Sequence, residues 1–134
     1  MIPLKDDNPT SSTPIVTYFL IGACVVIFLL ELSSPNYASG AIFYSWGFIP
    51  ASFFHNLEVP SEVYRVTPMA TLFTSMFMHG GFMHLIGNML YMWIFADNIE
   101  DELGKTKFII FYLLSGVAAA LTQGYMNTES TIPM

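Results

Sequence analysis

Charge is what this sequence has least of. Only 10 % of its 134 residues are Asp, Glu, Lys or Arg, while 54 % are apolar. A soluble domain carries about 25 % charged residues. A chain this short and this poorly charged cannot cover a globule with a wetted surface, which argues against an ordinary soluble single domain. Positive charge is scarcer still: four Lys plus Arg stand against ten Asp plus Glu, for a net charge of -6. Phosphate recognition needs a basic patch, so no nucleic-acid partner is expected. The single cysteine, Cys24, excludes an internal disulfide and any multi-cysteine metal site. It sits in the most apolar run, where cysteine behaves as a small buried hydrophobe.

What is present is long apolar sequence. A membrane-spanning helix needs roughly 20 residues, so three fit in this length, and six would not fit together with the loops the sequence contains. The expected fold is an all-α membrane protein with three transmembrane helices. Residues 1–13 form an amino-terminal tail and residues 14–32 the first span. Pro14 to Leu30 reads PIVTYFLIGACVVIFLL without a charge, and Glu31 and Ser33-Ser34-Pro35 end it. Proline suits a first helical turn. A cleavable signal peptide would have a basic start and a shorter apolar core, and Lys5 is outweighed by Asp6 and Asp7. The second span is expected over residues 76–96 and the third over 108–126. In the third, Ser115 with Ala119 and Gly116 with Ala120 form small-xxx-small pairs that let another helix approach closely in lipid.

Two loops join the spans. Residues 33–75 are not a polar linker: AIFYSWGFIPASFF over 41–54 is aromatic but interrupted by Gly47 and Pro50. It is expected to lie in the headgroup layer, which Trp and Tyr favour. His55 at its end has no partner in sequence and reads as an exposed loop histidine. Residues 97–107 hold four of the ten acids and read as a solvated connection, with Asp101 and Glu102 at helical spacing before Lys105 and Gly104 supplying a turn. Lys5, Lys105 and Lys107 lie on one side of the membrane and Arg65 alone on the other, which places the amino terminus in the cytoplasm.

Polar side chains inside a span need a partner, a cavity or water, so they mark function. The second span carries His79, His84 and Asn88. At about 100° per residue, His84 and Asn88 share one face, continued by Tyr91 and Phe95. On a continuous helix His79 would point about 140° away from His84. With no carboxylate in the span, that spacing argues against a metal site, and no metal or cofactor is expected. For a helix beginning near Gly81, Asn88 lies about 10 Å below the outer surface. An amide and an imidazole there fit either a hydrated cavity or hydrogen bonds between helices.

The run His79-Gly80-Gly81-Phe82-Met83-His84-Leu85-Ile86-Gly87-Asn88 resembles the second-helix signature of rhomboid intramembrane serine proteases. Residues 71–78 (TLFTSMFM), 97–104 (DNIEDELG), 107–123 and 44–50 (YSWGFIP) resemble that family's neighbouring segments, as does the amino terminus. The resemblance implies three helices of a six-helix bundle in a bacterial plasma membrane. It implies hydrolysis of single-span membrane substrates by a Ser–His dyad. By similarity, Asn88 and His84 help form the oxyanion hole and His79 supports them. Preorganised donors in a water-poor site stabilise an oxyanion strongly. The Trp-Arg pair that many members carry in the first loop is replaced by Ala70-Thr71, and Tyr64-Arg65 lies too far upstream.

The dyad itself is missing. No serine sits in G-x-S-G: Ser39 and Ser115 precede glycines, but Tyr37 and Leu113 stand where the first glycine belongs. No histidine follows His84. Catalysis of this type needs nucleophile and base together. The expectation is therefore the amino-terminal half of a rhomboid domain, inactive alone, with residues 127–134 leading toward the absent serine segment. Its partners are the lipid bilayer, a single-span substrate and the missing carboxy-terminal half of the same domain. A non-catalytic module that binds transmembrane helices is the alternative, and intact His84 and Asn88 argue against it. A three-span metal- or proton-handling protein using His79 and His84 is a further one, opposed by the 140° separation.

Overall fold

The computed structural model describes residues 8–58 and 65–134. Lys5 and Tyr64 therefore lie outside the described residues. Among those described, every regular element is helical. The helices are α1 (Ile15–Ser33), α2 (Ala41–Trp46), α3 (Pro50–His55), α4 (Pro68–Thr74), α5 (Phe82–Tyr91), α6 (Asp97–Leu103) and α7 (Lys105–Met126). α1 and α7 are long and apolar enough to cross a membrane. At 1.5 Å per residue, the 19 residues of α1 cover about 28 Å, close to the hydrocarbon thickness of a bilayer. Its outer face leaves Phe19, Leu29 and Leu30 exposed.

The helix expected over 76–96 is displaced toward the carboxy terminus. Residues Ser75–Phe77 form a 3-10 turn that prolongs α4, and Met78 is extended at φ -87° and ψ 143°. Helix resumes only at Phe82, because Gly80-Gly81 contribute little helix propensity and Gly81 is itself extended. Beyond Tyr91 the helix does not stop at Ala96. It passes through a wider π turn over Met92–Ala96 and continues as α6 to Leu103. The segment read as a solvated connection over 97–107 is thus largely helix. Gly104, in the left-handed region at φ 75°, makes the turn into α7.

Two apolar clusters seat α1 on these helices. Cys24, Phe28 and Leu85 are buried together with Leu32, Phe77 and Met89 against them. Leu20, Ala96 and Phe108 form the second, with Val16, Met92 and Tyr112. Cys24 is 1 % exposed, as its apolar setting leads one to expect.

The start of α1 shows how the acidic segment is used. The first four N–H groups of a helix have no partner within it. Pro14, the N-cap residue, supplies no side-chain bond. Ile15 N–H donates to the Thr13 carbonyl at 2.9 Å, and Tyr18 N–H to that of Pro14 at 3.1 Å. The two between are taken by Glu100: Val16 N–H donates to Oε1 at 3.1 Å and Thr17 N–H to Oε2 at 2.8 Å. The Thr17 hydroxyl also donates to Oε2, at 2.8 Å. Glu100 is 1 % exposed. A carboxylate is favoured there by the positive end of the helix dipole. Next to it, Asp101 accepts from the backbone N–H groups and hydroxyls of Ser11 and Ser12 at 2.7–2.9 Å. Asp101 therefore engages the tail, in a segment read from sequence as a solvated connection.

The first loop is built from α2, α3 and α4. Gly47 and Pro50 interrupt it where expected, and Phe48 and Ile49 between them are buried. A Cβ at Gly47 would meet the Phe43 carbonyl oxygen at 2.5 Å, so the backbone itself requires glycine there. Arg65 donates to the Ser52 hydroxyl of α3. The last residues lie across this loop: Met134 and Phe48 exchange backbone bonds at 2.8 and 3.2 Å, and Ala51 N–H donates to the Ser130 carbonyl at 3.0 Å. His55, read as an unpartnered loop histidine, lies 3.0 Å from a Glu129 carboxylate oxygen of the same segment.

Two predictions follow from the α1 terminus. Glu100→Ala leaves one buried and one half-buried N–H group unpaired and is expected to cost about 2–4 kcal/mol in a reversible unfolding titration, with Glu100→Gln losing less; an unchanged midpoint for the alanine variant would exclude the cap. The Ser11 backbone N–H, then the Ser12 and Ser11 hydroxyls, hold the Asp101 pKa down from 3.8 to about 2. A depressed carboxylate pKa contributes stability above the unfolded value and loses it as pH falls through the folded one. The Ser11 and Ser12 amide resonances should accordingly titrate near pH 2 and stop titrating in Asp101→Asn. A midpoint at 3.8 would contradict the contact.

Candidate functional site

α5 carries the polar residues singled out in the sequence. His84 and Asn88, one turn apart, both lie on its exposed surface, six residues or fewer from its start at Phe82. At 1.5 Å per residue, Asn88 sits about 9 Å along the helix from that start. It opens into a cleft of about 550 Å³ between α5, the 3-10 turn and α7. Ser115, Gly116, Ala119 and Ala120 line the far wall of this cleft. The small-residue pairs of α7 thus face a concavity. At Gly116 a Cβ would run into the Met76 side chain, so one of the four also serves packing within the chain. Tyr91 and Phe95 continue the α5 stripe, with ring centroids 5.7 Å apart.

His79 behaves differently from what helical spacing implies. It lies in the extended segment before α5, not on the helix, so the 140° separation from His84 does not apply. The two rings meet edge to face with centroids 5.3 Å apart. His79 is 2 % exposed. Its Nδ1 lies 3.1 Å from the Phe77 carbonyl. A carbonyl only accepts, so Nδ1 carries a proton in this contact. Its backbone N–H donates to Oε2 of Glu31 at 3.4 Å. Among the described residues, no group of three or more His, Cys, Asp or Glu side chains converges as a metal site.

Sequence reasoning missed Glu31. It stood only as the residue that ends an apolar run, yet it is 2 % exposed. The available signal was a lone carboxylate close to the end of an otherwise uncharged span, which is costly unless partnered.

With this geometry in hand, comparisons with known proteins are specific. A family model described as Rhomboid domain matches residues 60–134, which include His79, His84 and Asn88. The chain is 30 % identical over 118 residues to the Rhomboid protease GlpG of Salmonella paratyphi A and to that of Salmonella typhi. It is 29 % identical to that of Salmonella newport. Each alignment covers 88 % of this chain and 36 % of the relative, so the chain spans about a third of the length of these proteins. No solved structure matches.

The contrast between the two histidines can be measured in lipid. In single-cysteine labelling with a water-soluble maleimide, His84→Cys and Asn88→Cys should react readily. His79→Cys and the native Cys24 should stay silent until the protein is unfolded. Equal labelling of positions 79 and 84 would contradict the burial described.

Proposed function

The chain belongs to the rhomboid family, and from that membership we propose that its residues form the oxyanion-hole side of an intramembrane serine endopeptidase site. The observation that supports this reading is the placement of His84 and Asn88 on one face of α5, with Asn88 open to the cleft toward α7. Attack on a peptide carbonyl places negative charge on its oxygen. Donors already in position outside bulk water stabilise that charge without reorganisation. The Asn88 amide donates at any pH, and the His84 ring donates from whichever nitrogen carries the proton. His79 supports His84 through the edge contact of the rings.

The 134 residues hold no G-x-S-G serine and no histidine after His84. In this reading nucleophile and base come from further polypeptide of the same domain, packed into the cleft lined by Asn88 and the small residues of α7. The chain alone does not hydrolyse peptides. Three helices cross the bilayer of a bacterial plasma membrane: α1, the apolar part of the run from Phe82, and α7. The amino terminus is cytoplasmic, on the side of Lys105 and Lys107. The substrate is a single-span membrane protein.

In the polypeptide that supplies the serine and histidine, Asn88→Ala should lower kcat for cleavage of a single-span substrate by about 10²–10³-fold. KM should change little, because the lost donor acts on charge present only in the transition state. His84→Ala should do the same to a comparable degree. Full activity in both variants would overturn the reading.

A further inference from the structure

We propose that Glu31 is a positioning residue, whose buried carboxylate holds the Met78–Gly81 segment in place and thereby sets His79 against His84. The inference rests on the reading above for its consequence in catalysis, and on geometry alone for the tether itself.

Glu31 stands where physical chemistry disfavours it. It is 2 % exposed and sits in the last turn of α1. Burial penalises a carboxylate, and the carboxy-terminal end of a helix carries partial negative charge. Among the described residues no Lys, Arg or His side chain forms an ion pair with it. Oε1 has no hydrogen-bond partner among the described residues. A leucine would suit this position in α1 better on every one of these counts. Among the described residues, the one hydrogen bond its carboxylate makes is the one accepted from the His79 N–H.

That bond falls where the chain has least structure of its own. Met78 leaves the 3-10 turn in an extended conformation, and helix does not begin again until Phe82. Two glycines, Gly80 and Gly81, precede it and impose almost no local preference. The His79 N–H bond to α1 and the ring bond to the Phe77 carbonyl fix this residue at both its backbone and its side chain. The outcome is the 5.3 Å contact with the His84 ring. Glu31 also borders an apolar cavity of about 390 Å³ with Phe77 and Met78.

The test uses the 134-residue chain, isotope-labelled in bicelles, with Glu31→Leu and Glu31→Gln. Glutamine keeps a carbonyl acceptor, and leucine removes it. In Glu31→Leu, exchange of the His79 amide proton should rise about tenfold, as expected for loss of a local protecting bond, with α1 and α7 still protected. The His84 ring resonances should move as well. Glu31→Gln should restore both. Unchanged His79 exchange and His84 resonances in Glu31→Leu would overturn the proposal. If Glu31→Leu does not fold, Glu31→Gln decides: exchanging a charged acceptor for a neutral one moves the His79 amide proton resonance if the bond exists and leaves it in place if it does not. In the polypeptide carrying nucleophile and base, Glu31→Leu should lower kcat about tenfold at unchanged KM, with rescue by glutamine. A wild-type polypeptide with no peptidase activity would overturn the functional reading while the resonance measurements still judge the tether.

Discussion

A helix that starts in or beside a membrane must satisfy its first N–H groups without help from bulk water. In this protein the Glu100 carboxylate meets that requirement for α1. It accepts from Val16 and Thr17 across 84 and 83 residues of sequence. The bond ties the start of α1 to α6, just before the turn into α7. α1 is then held so that Leu20 meets Ala96 and Phe108, and Phe28 and Cys24 meet Leu85. Leu85 is the residue after His84. The placement of α5, and so of His84 and Asn88, follows from where α1 is pinned.

The opposite end of α1 repeats the theme with another carboxylate. Glu100 accepts from the helix that begins beside it. Glu31, at the far end, accepts from a segment outside the helix. One stabilises the scaffold and the other orients what the scaffold carries. Between them the small residues of α7 leave an open cleft rather than a filled seam. Phe48 and Met134, whose backbones bond to each other, border the same cleft.

The two long helices are legible in the sequence because an uncharged run of membrane length has few physical solutions. The breaks at Gly47 and Pro50 are legible for a similar reason, since each excludes a continuous helix. His84 and Asn88 are legible because both lie within one regular helix, where spacing gives direction. His79 is not, because counting at 100° per residue assumes helix on both sides of Gly80-Gly81. Once the chain is extended there, direction depends on tertiary contacts. Glu100 is hidden for another reason. Asp97, Glu100, Asp101 and Glu102 form one acidic cluster, and composition cannot tell which of them faces inward. Only the tertiary contact with the start of α1 distinguishes Glu100 from its acidic neighbours.

The central claim is that this chain holds the oxyanion-stabilising wall of a rhomboid-type site and not its nucleophile. A fluorophosphonate probe that labels activated serines tests it most directly, applied to the folded 134-residue chain and to the longer polypeptide from the same reading frame. The account predicts labelling of the longer polypeptide at a serine beyond Met134 and none of the chain alone. Stoichiometric labelling of a serine within the 134 residues would contradict it.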